Sequence, residues 1–382
     1  MPIAKYRRPL QMAALGLASV LALGLSGVLS PRPAPRYTVT DLGVLPGYSI
    51  SSASALNSQG EAAVTASGPG PVRRQACLYR GGRLTGLGVV PGGSDAQGIN
   101  AAGDVAGVTG LPGSRRAFLY HGGKMRGLGT LPGFADCEGV GVNDQGEVVG
   151  TAATSPGPVG LPHERAFVYA AGRMTGIGAP LGCSESQAVS INAAGSVTGE
   201  GFPSPGGSDQ SRPFLYDTRT KAMTLLPVPP LTQGAWASRT GQSGRTIGTV
   251  WTGGGRYHVV LWAGGRMKDL GTAPGSAGSM GIGLNDRGEA VGYGFEDDAA
   301  GTVRGFLRDH VGGDSALRRY LSRPSERAFV YEGGRMRDLN EMVPAGADWT
   351  LEGARDINDR GQIVGYGSHH GRQRAFLLTP VR

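Results

Sequence analysis

Between residues 140 and 178 the chain reads Val140-Gly141-Val142-Asn143-Asp144-Gln145-Gly146-Glu147-Val148-Val149-Gly150, then Arg165-Ala166-Phe167-Val168-Tyr169, then Ala171-Gly172-Arg173-Met174-Thr175-Gly176-Ile177-Gly178. Val140 to Asn143 predicts a strand, Asp144-Gln145-Gly146 a tight turn, and Glu147 to Gly150 a second strand. Arg165 to Tyr169 predicts a third, Ala171-Gly172 a turn, and Met174 to Gly178 a fourth. Each run is short, rich in β-branched and aromatic residues, and bounded by Gly, Asn or Asp. Several are apolar at consecutive positions, the pattern of a sheet covered on both faces.

The same pieces recur in the same order. Asn143-Asp144-Gln145-Gly146 has counterparts at Asn57-Ser58-Gln59-Gly60, Asn100-Ala101-Ala102-Gly103, Asn192-Ala193-Ala194-Gly195, Asn285-Asp286-Arg287-Gly288 and Asn358-Asp359-Arg360-Gly361, with a degenerate copy at Gly241-Gln242-Ser243-Gly244. Seven units follow, and four strands in roughly 40–50 residues is the size of a propeller blade. The chain ends on a third-strand motif, Arg374-Ala375-Phe376-Leu377-Leu378, and opens on a fourth-strand motif, Tyr37-Thr38-Val39-Thr40-Asp41-Leu42-Gly43. Together the two fragments complete one blade and leave no long open sheet edge, whereas an open solenoid would need polar caps. The expectation is an all-β, seven-bladed β-propeller over residues 37–382, closed by pairing of the N- and C-terminal strands. The step from Asn285 to Asn358 is longer than its neighbours, so an insertion is expected at about 295–326, with a short helix at Asp314 to Leu321.

Composition agrees with punctuated β structure. Gly 68 and Pro 25 make about a quarter of 382 residues, yet hydrophobic residues reach 39% and the glycines recur at fixed places within apolar motifs. The formal charge is +8, from 37 Lys and Arg against 29 Asp and Glu, with no run of five like charges. Residues 1–30 stand apart: Lys5, Arg7 and Arg8 form a positive head before an apolar stretch from Leu10 to Ser30. That is the pattern of an export signal or N-terminal membrane anchor, followed by a Pro-rich spacer at 31–36. Ala22-Leu23-Gly24 offers a small-x-small cleavage site, although the apolar stretch is long enough to span a bilayer uncut. The protein is therefore expected outside the cytoplasm, meeting a membrane only through that segment.

The unit Gly-x-Asn-x-x-Gly, Val-x-Gly, Ala-Phe-Leu-Tyr, Gly-Gly-x-Met, Leu-Gly resembles the HAF family of extracellular repeat proteins. The clearest match runs from Ala117-Phe118-Leu119-Tyr120 through Gly122-Gly123-Lys124-Met125 to Leu128-Gly129-Thr130-Leu131. The resemblance covers about residues 37–382 and implies an exported bacterial protein; it carries over no catalytic residues. Arg116, Arg165, Arg327 and Arg374 stand where that family has the His of His-Ala-Phe.

The position before Ala-Phe reads Gln75, Arg116, Arg165, Arg212, His258, Arg327 and Arg374, which symmetry arranges as a ring on one side of the propeller. Arginine suits bidentate capture of carboxylate, sulfate or phosphate. The competing reading ties each Arg into its own blade through a carbonyl or an acid such as Asp41, Asp269 or Asp338. A second set of cations, Arg83, Lys124, Arg173, Arg266 and Arg335, falls in the third-to-fourth-strand turns, where charge keeps hairpins soluble. The two sets account for most of the basic balance, and no aromatic residues interleave with them, so a nucleic-acid partner is not expected. Two residues before each Asn the residue is usually small (Ala55, Gly98, Gly141, Ser190, Gly283), as a crowded axis would require. Arg239 and Asp356 break that pattern and are expected to face each other across the channel as an ion pair. The Asn-Asp-x-Gly turns lack converging calcium ligands, and turn chemistry explains them. Of the three cysteines, Cys77 reads as a buried thiol, while Cys137 and Cys183 lie in links entering adjacent units and are candidates for a disulfide. No nucleophile elbow, metal spacing or cofactor motif emerges.

These features favour a monomeric binding or scaffolding module for an anionic polysaccharide or a protein partner. A glycan-processing hydrolase or lyase and a purely structural surface repeat are the alternatives.

Overall fold

The computed structural model describes residues 36–70, 73–155, 162–204, 210–230, 232–252, 257–296 and 326–381. The segment expected to act as an export signal or anchor, the core of the expected insertion and its expected helix lie outside the described residues. Seven four-stranded antiparallel sheets form the ring. In blade 3 the strands are Asp136–Val142 (inner), Val148–Ala153 (second), Glu164–Ala170 (third) and Arg173–Gly178 (outer), paired in that order. The seventh blade is shared by the two ends of the chain. Tyr37–Asp41 lies antiparallel to Arg372–Pro380, with Thr38 opposite Thr379, as the terminal motifs imply.

The meander gives the ring two distinct faces. Asn-x-x-Gly turns and third-to-outer hairpins lie on the lower face; second-to-third turns and interblade links lie on the upper. The hairpin glycines are needed for conformation: Gly81 and Gly82 take φ of 57° and 81°, the two positive values of a type I′ turn.

Five of the blades are pinned by a fully buried phenylalanine ring: Phe118, Phe167, Phe214, Phe329 and Phe376. The Gly of Val-x-Gly faces that ring: a Cβ on Gly150 would stand 2.8 Å from Phe167 Cζ and collide with the Glu138 carbonyl. Blade 1 inverts the fit. There Cys77 replaces the Phe, and Val64 replaces the opposing Gly. Burial pushes the Cys77 thiol up to about 12.

All seven inner strands carry a bulge near their lower end. The pairing shifts between Ala53 and Ala55, Ala96 and Gly98, Gly139 and Gly141, Ala188 and Ser190, Ala237 and Arg239, Gly281 and Gly283, and Ala354 and Asp356. A bulge leaves one residue outside the ladder and re-aims it. The residues so displaced are Ser54, Gln97, Val140, Val189, Ser238, Ile282 and Arg355, and all of them line the axial cavity. Of the small residues expected at the axis, Gly98, Gly141 and Ser190 line the cavity as well. Their size also lets one inner strand pack against the next, since a Cβ on Gly98 would meet Gly141 Cα at 2.9 Å.

The Asn side chains stitch the ring together. Asn57 Nδ2 donates to Asn100 O at 3.1 Å, Asn100 to Asn143 O at 3.0 Å, Asn192 to Gly241 O at 2.9 Å, Asn285 to Asn358 O at 3.1 Å, and Asn358 to Asn57 O at 3.0 Å. The Asp after the Asn adds a bond in the opposite sense. Asp144, Asp286 and Asp359 accept from the backbone N–H of Ala101, Ser243 and Asp286 in the preceding blade.

Candidate functional site: the channel mouth

The axial cavity has a volume of about 790 Å³ and is lined by inner-strand residues from every blade. Its upper mouth is built by the first residues of the third strands. Arg74 pairs with Asp95 of the next blade at 2.8 Å, and Arg115 pairs with Glu138. Gln187 donates to Glu164, Ser211 Oγ donates to Ala235 O at 2.9 Å, and Tyr366 Oη donates to Glu326 Oε2 at 2.7 Å. Beside this polar rim His163 Nδ1 lies 2.8 Å from the buried Glu185.

The expected Arg ring sits one residue further along each strand. Because strand side chains alternate, a one-residue step turns them to the opposite face of the blade. Arg116 Nη1 donates to Ala135 O at 2.6 Å and Arg115 O at 2.8 Å. Arg327 pairs with Asp338, and His258 Nδ1 lies 2.9 Å from Asp269. Arg374 donates to Ser49 O at 2.6 Å, with Asp41 at 3.8 Å. Gln75 accepts from Tyr48 Oη at 2.9 Å, and Arg165 lies half-buried against the outer strand at Gly176. Arg212 donates to Leu181 O at 3.3 Å and alone of this set lines a cavity, a groove of about 1000 Å³ at the seam of blades 4 and 5. The side chains do not converge on one ligand position; most are committed to their own blade or the adjoining link. The position one step earlier reads Arg74, Arg115, Glu164, Ser211, Tyr257, Glu326 and Gln373, with no regular recurrence of one residue type, and of these Arg115 and Glu164 line the axial cavity. Repetition therefore marks the scaffold, and the variable neighbour carries the site; alternation within the strand was the signal that could have separated them.

Arg239 Nη2 lies 3.0 Å from Asp356 Oδ2. The pair joins blades 5 and 7 past Gly283 of blade 6, where a Cβ would meet Asp356 Cα at 2.8 Å. Asp356 also accepts from the N–H groups of Leu56 and Ile357. Burial nevertheless holds its carboxyl above the usual carboxylate range, against the pull of Arg239.

The suggested disulfide is not formed, and all three thiols are free. Cys137 is buried within blade 3 with its Sγ 3.8 Å from Met174 Sδ, while Cys183 sits in the turn into blade 4, close to Gly201. Each side chain packs into its own blade. Among the described residues no group of three or more His, Cys, Asp or Glu is placed to hold a metal ion. None of their helices is long and apolar enough to cross a membrane.

On the upper face blades 5 and 6 carry an aromatic shelf. Tyr257 stacks on Trp251 at 5.8 Å and 5° and on Trp236 at 6.0 Å and 28°, and meets Phe295 edge-on at 5.6 Å. All four are half-buried, and Trp251 also lines the groove at the seam of blades 4 and 5.

No family model and no curated protein matches the chain. Solved structures do. An acylaminoacyl peptidase of Pyrococcus horikoshii superposes with a TM-score of 0.55 at 8% identity, over 87% of this chain and 51% of that one. An oligogalacturonate lyase in complex with manganese gives 0.53 at 12% identity, over 84% and 86%. A puromycin-hydrolyzing peptidase of Mycobacterium tuberculosis gives 0.53 at 13% identity, over 92% and 55%. The chain thus spans about half the length of either peptidase. At these identities the likeness is one of fold, and the fold is a seven-bladed β-propeller.

Proposed function

We propose that the protein is an exported binding module that lays a sugar chain across its upper face, from the groove at blades 4 and 5, over the Trp251–Tyr257–Trp236 shelf, to the channel mouth. Export rests on the charged head and apolar run of residues 1–30, and on the resemblance to extracellular repeat proteins. The observation that carries the reading is the shelf. Three stacked rings left half-exposed between two cavities form an apolar surface that folding alone does not require. Sugar rings present C–H faces to such rings and hydroxyls to a polar rim like that formed by Glu164 and Gln187 at the cavity.

The test is tryptophan emission of the purified protein during titration with oligosaccharides. A saturable change is expected, weakened about tenfold or more in Trp236→Ala and Trp251→Ala, in line with loss of a buried aromatic anchor. Titrations that leave the emission flat for both neutral and acidic chains would sink the reading.

A further inference from the structure

Three arginines reach the axial cavity, and they are not equivalent. Arg115 is paired with Glu138 and Arg239 with Asp356. Arg355 has no ion pair and no hydrogen bond to its guanidinium among the described residues. It occupies the bulge position of blade 7, the place that Ser54, Gln97 and Val140 occupy in blades 1 to 3, so the backbone aims it into the bore.

Its surroundings are built to hold it there. The guanidinium lies over the ring of Tyr366 at 5.2 Å and that of Tyr293 at 5.8 Å. These two tyrosines stand where blades 1, 3 and 5 have Thr65, Thr151 and Thr249 on the second strand. Gly353 makes the space, since a Cβ there would stand 2.5 Å from the Tyr366 ring. Tyr366 is in turn anchored by donating to Glu326. Stacking engages the faces of a guanidinium and leaves its in-plane N–H donors available, the geometry that matches a carboxylate with two parallel bonds.

We propose that Arg355, presented by Tyr293 and Tyr366, is the subsite that recognises the carboxylate of a uronic-acid unit in the bound chain. The site rests on the reading that a sugar chain occupies the mouth, with one end of that chain entering the bore, and it returns the preference for an anionic ligand to a residue outside the repeated Arg positions.

The experiment compares polygalacturonate oligomers with the same oligomers after reduction of their carboxyl groups, by calorimetric titration of the full chain. Wild type should bind the acidic oligomers more tightly. Arg355→Gln should lose roughly tenfold to hundredfold for the acidic oligomers, the range of a charge-assisted hydrogen bond, and change little for the reduced ones. Arg355→Lys should fall between, since a point charge cannot make the paired bonds. Thermal melts of both variants separate loss of the subsite from loss of the scaffold. Equal binding of both oligomers, unchanged in Arg355→Gln, would overturn the carboxylate subsite while leaving the mouth as a sugar site. Equal weakening of both, with a lowered melting temperature, would make Arg355 a scaffold residue. Failure of both oligomers to bind wild type would remove both readings.

Discussion

Glu200 is the most exceptional side chain of the second strands. Blades 1, 3 and 5 place Thr65, Thr151 and Thr249 at its position, and two of these threonines accept an N–H from the next inner strand, Ala96 and Gly281. Glu200 is buried, has no hydrogen-bond partner among the described residues, and is pushed up to about 8 by burial alone. A carboxyl raised in the folded state favours folding in its neutral form, and that stability is lost as pH climbs from the unfolded value of 4.5 towards 8. The loss is about 1.4 kcal/mol for each pH unit within that window, as an upper figure. Melting temperatures measured between pH 5 and pH 8 should fall more steeply for wild type than for Glu200→Gln; parallel slopes would refute the assignment. Nothing in the repeat flagged this residue, because a charged side chain on a strand reads as solvated until the neighbouring blade is in place. The exchange of Gly and Phe for Val64 and Cys77 was half legible in the same way. The motif showed Cys77 to be buried, but only the pairing register showed that Val64 fills the volume the Phe leaves.

At the level of the element, the turn and strand order came through intact, because Asn, Gly and the aromatic core residue recur at fixed offsets. The bulges did not. One extra residue in an inner strand changes no residue type, yet it decides that Arg355 faces the bore and Asp356 the next blade. The Asn turns show the same limit: local turn chemistry explained their composition, while their bonds to the following blade depend on ring closure. Those bonds allow an internal comparison. Asn143 and Asn358 both accept N–H groups within their own turns, but only Asn358 also donates to the next blade, at Asn57 O. Asn143 Nδ2 donates instead to Glu147. Asn358→Ala should therefore lower stability by about 1 kcal/mol more than Asn143→Ala, the net value of one hydrogen bond. Chemical denaturation of the two variants checks it, and equal losses would mean the cross-blade bonds add nothing. Gly241→Asn should not supply a further latch, since its Cβ would stand 2.8 Å from Asp286 Oδ1.

Taken whole, the molecule is a ring whose seam falls inside a blade. The ends of the described chain meet there, with Val381 N donating to Arg36 O at 2.8 Å. Joining 381 to 36 by a short linker and opening the chain at the exposed Gly122-Gly123 hairpin should preserve the fold, with a melting temperature within a few degrees of wild type by circular dichroism. A permuted chain that does not fold would show that the seam, and not only the circle, is required. The cavity, the shelf and the upper-face loops follow from this closed geometry, which repeat counting reveals; which side chains reach the mouth does not, because it turns on alternation and bulges. The seam also imposes an order in time. Tyr37–Asp41 is synthesised long before its partner Arg372–Pro380. Until that partner emerges the strand lacks its ladder, so the circle stays open while all the intervening blades are made. Loop closure over so long a separation is slow. A chain delivered from its N-terminus, from a ribosome or through any pore, would thus stay an open arc until its last blade is in place.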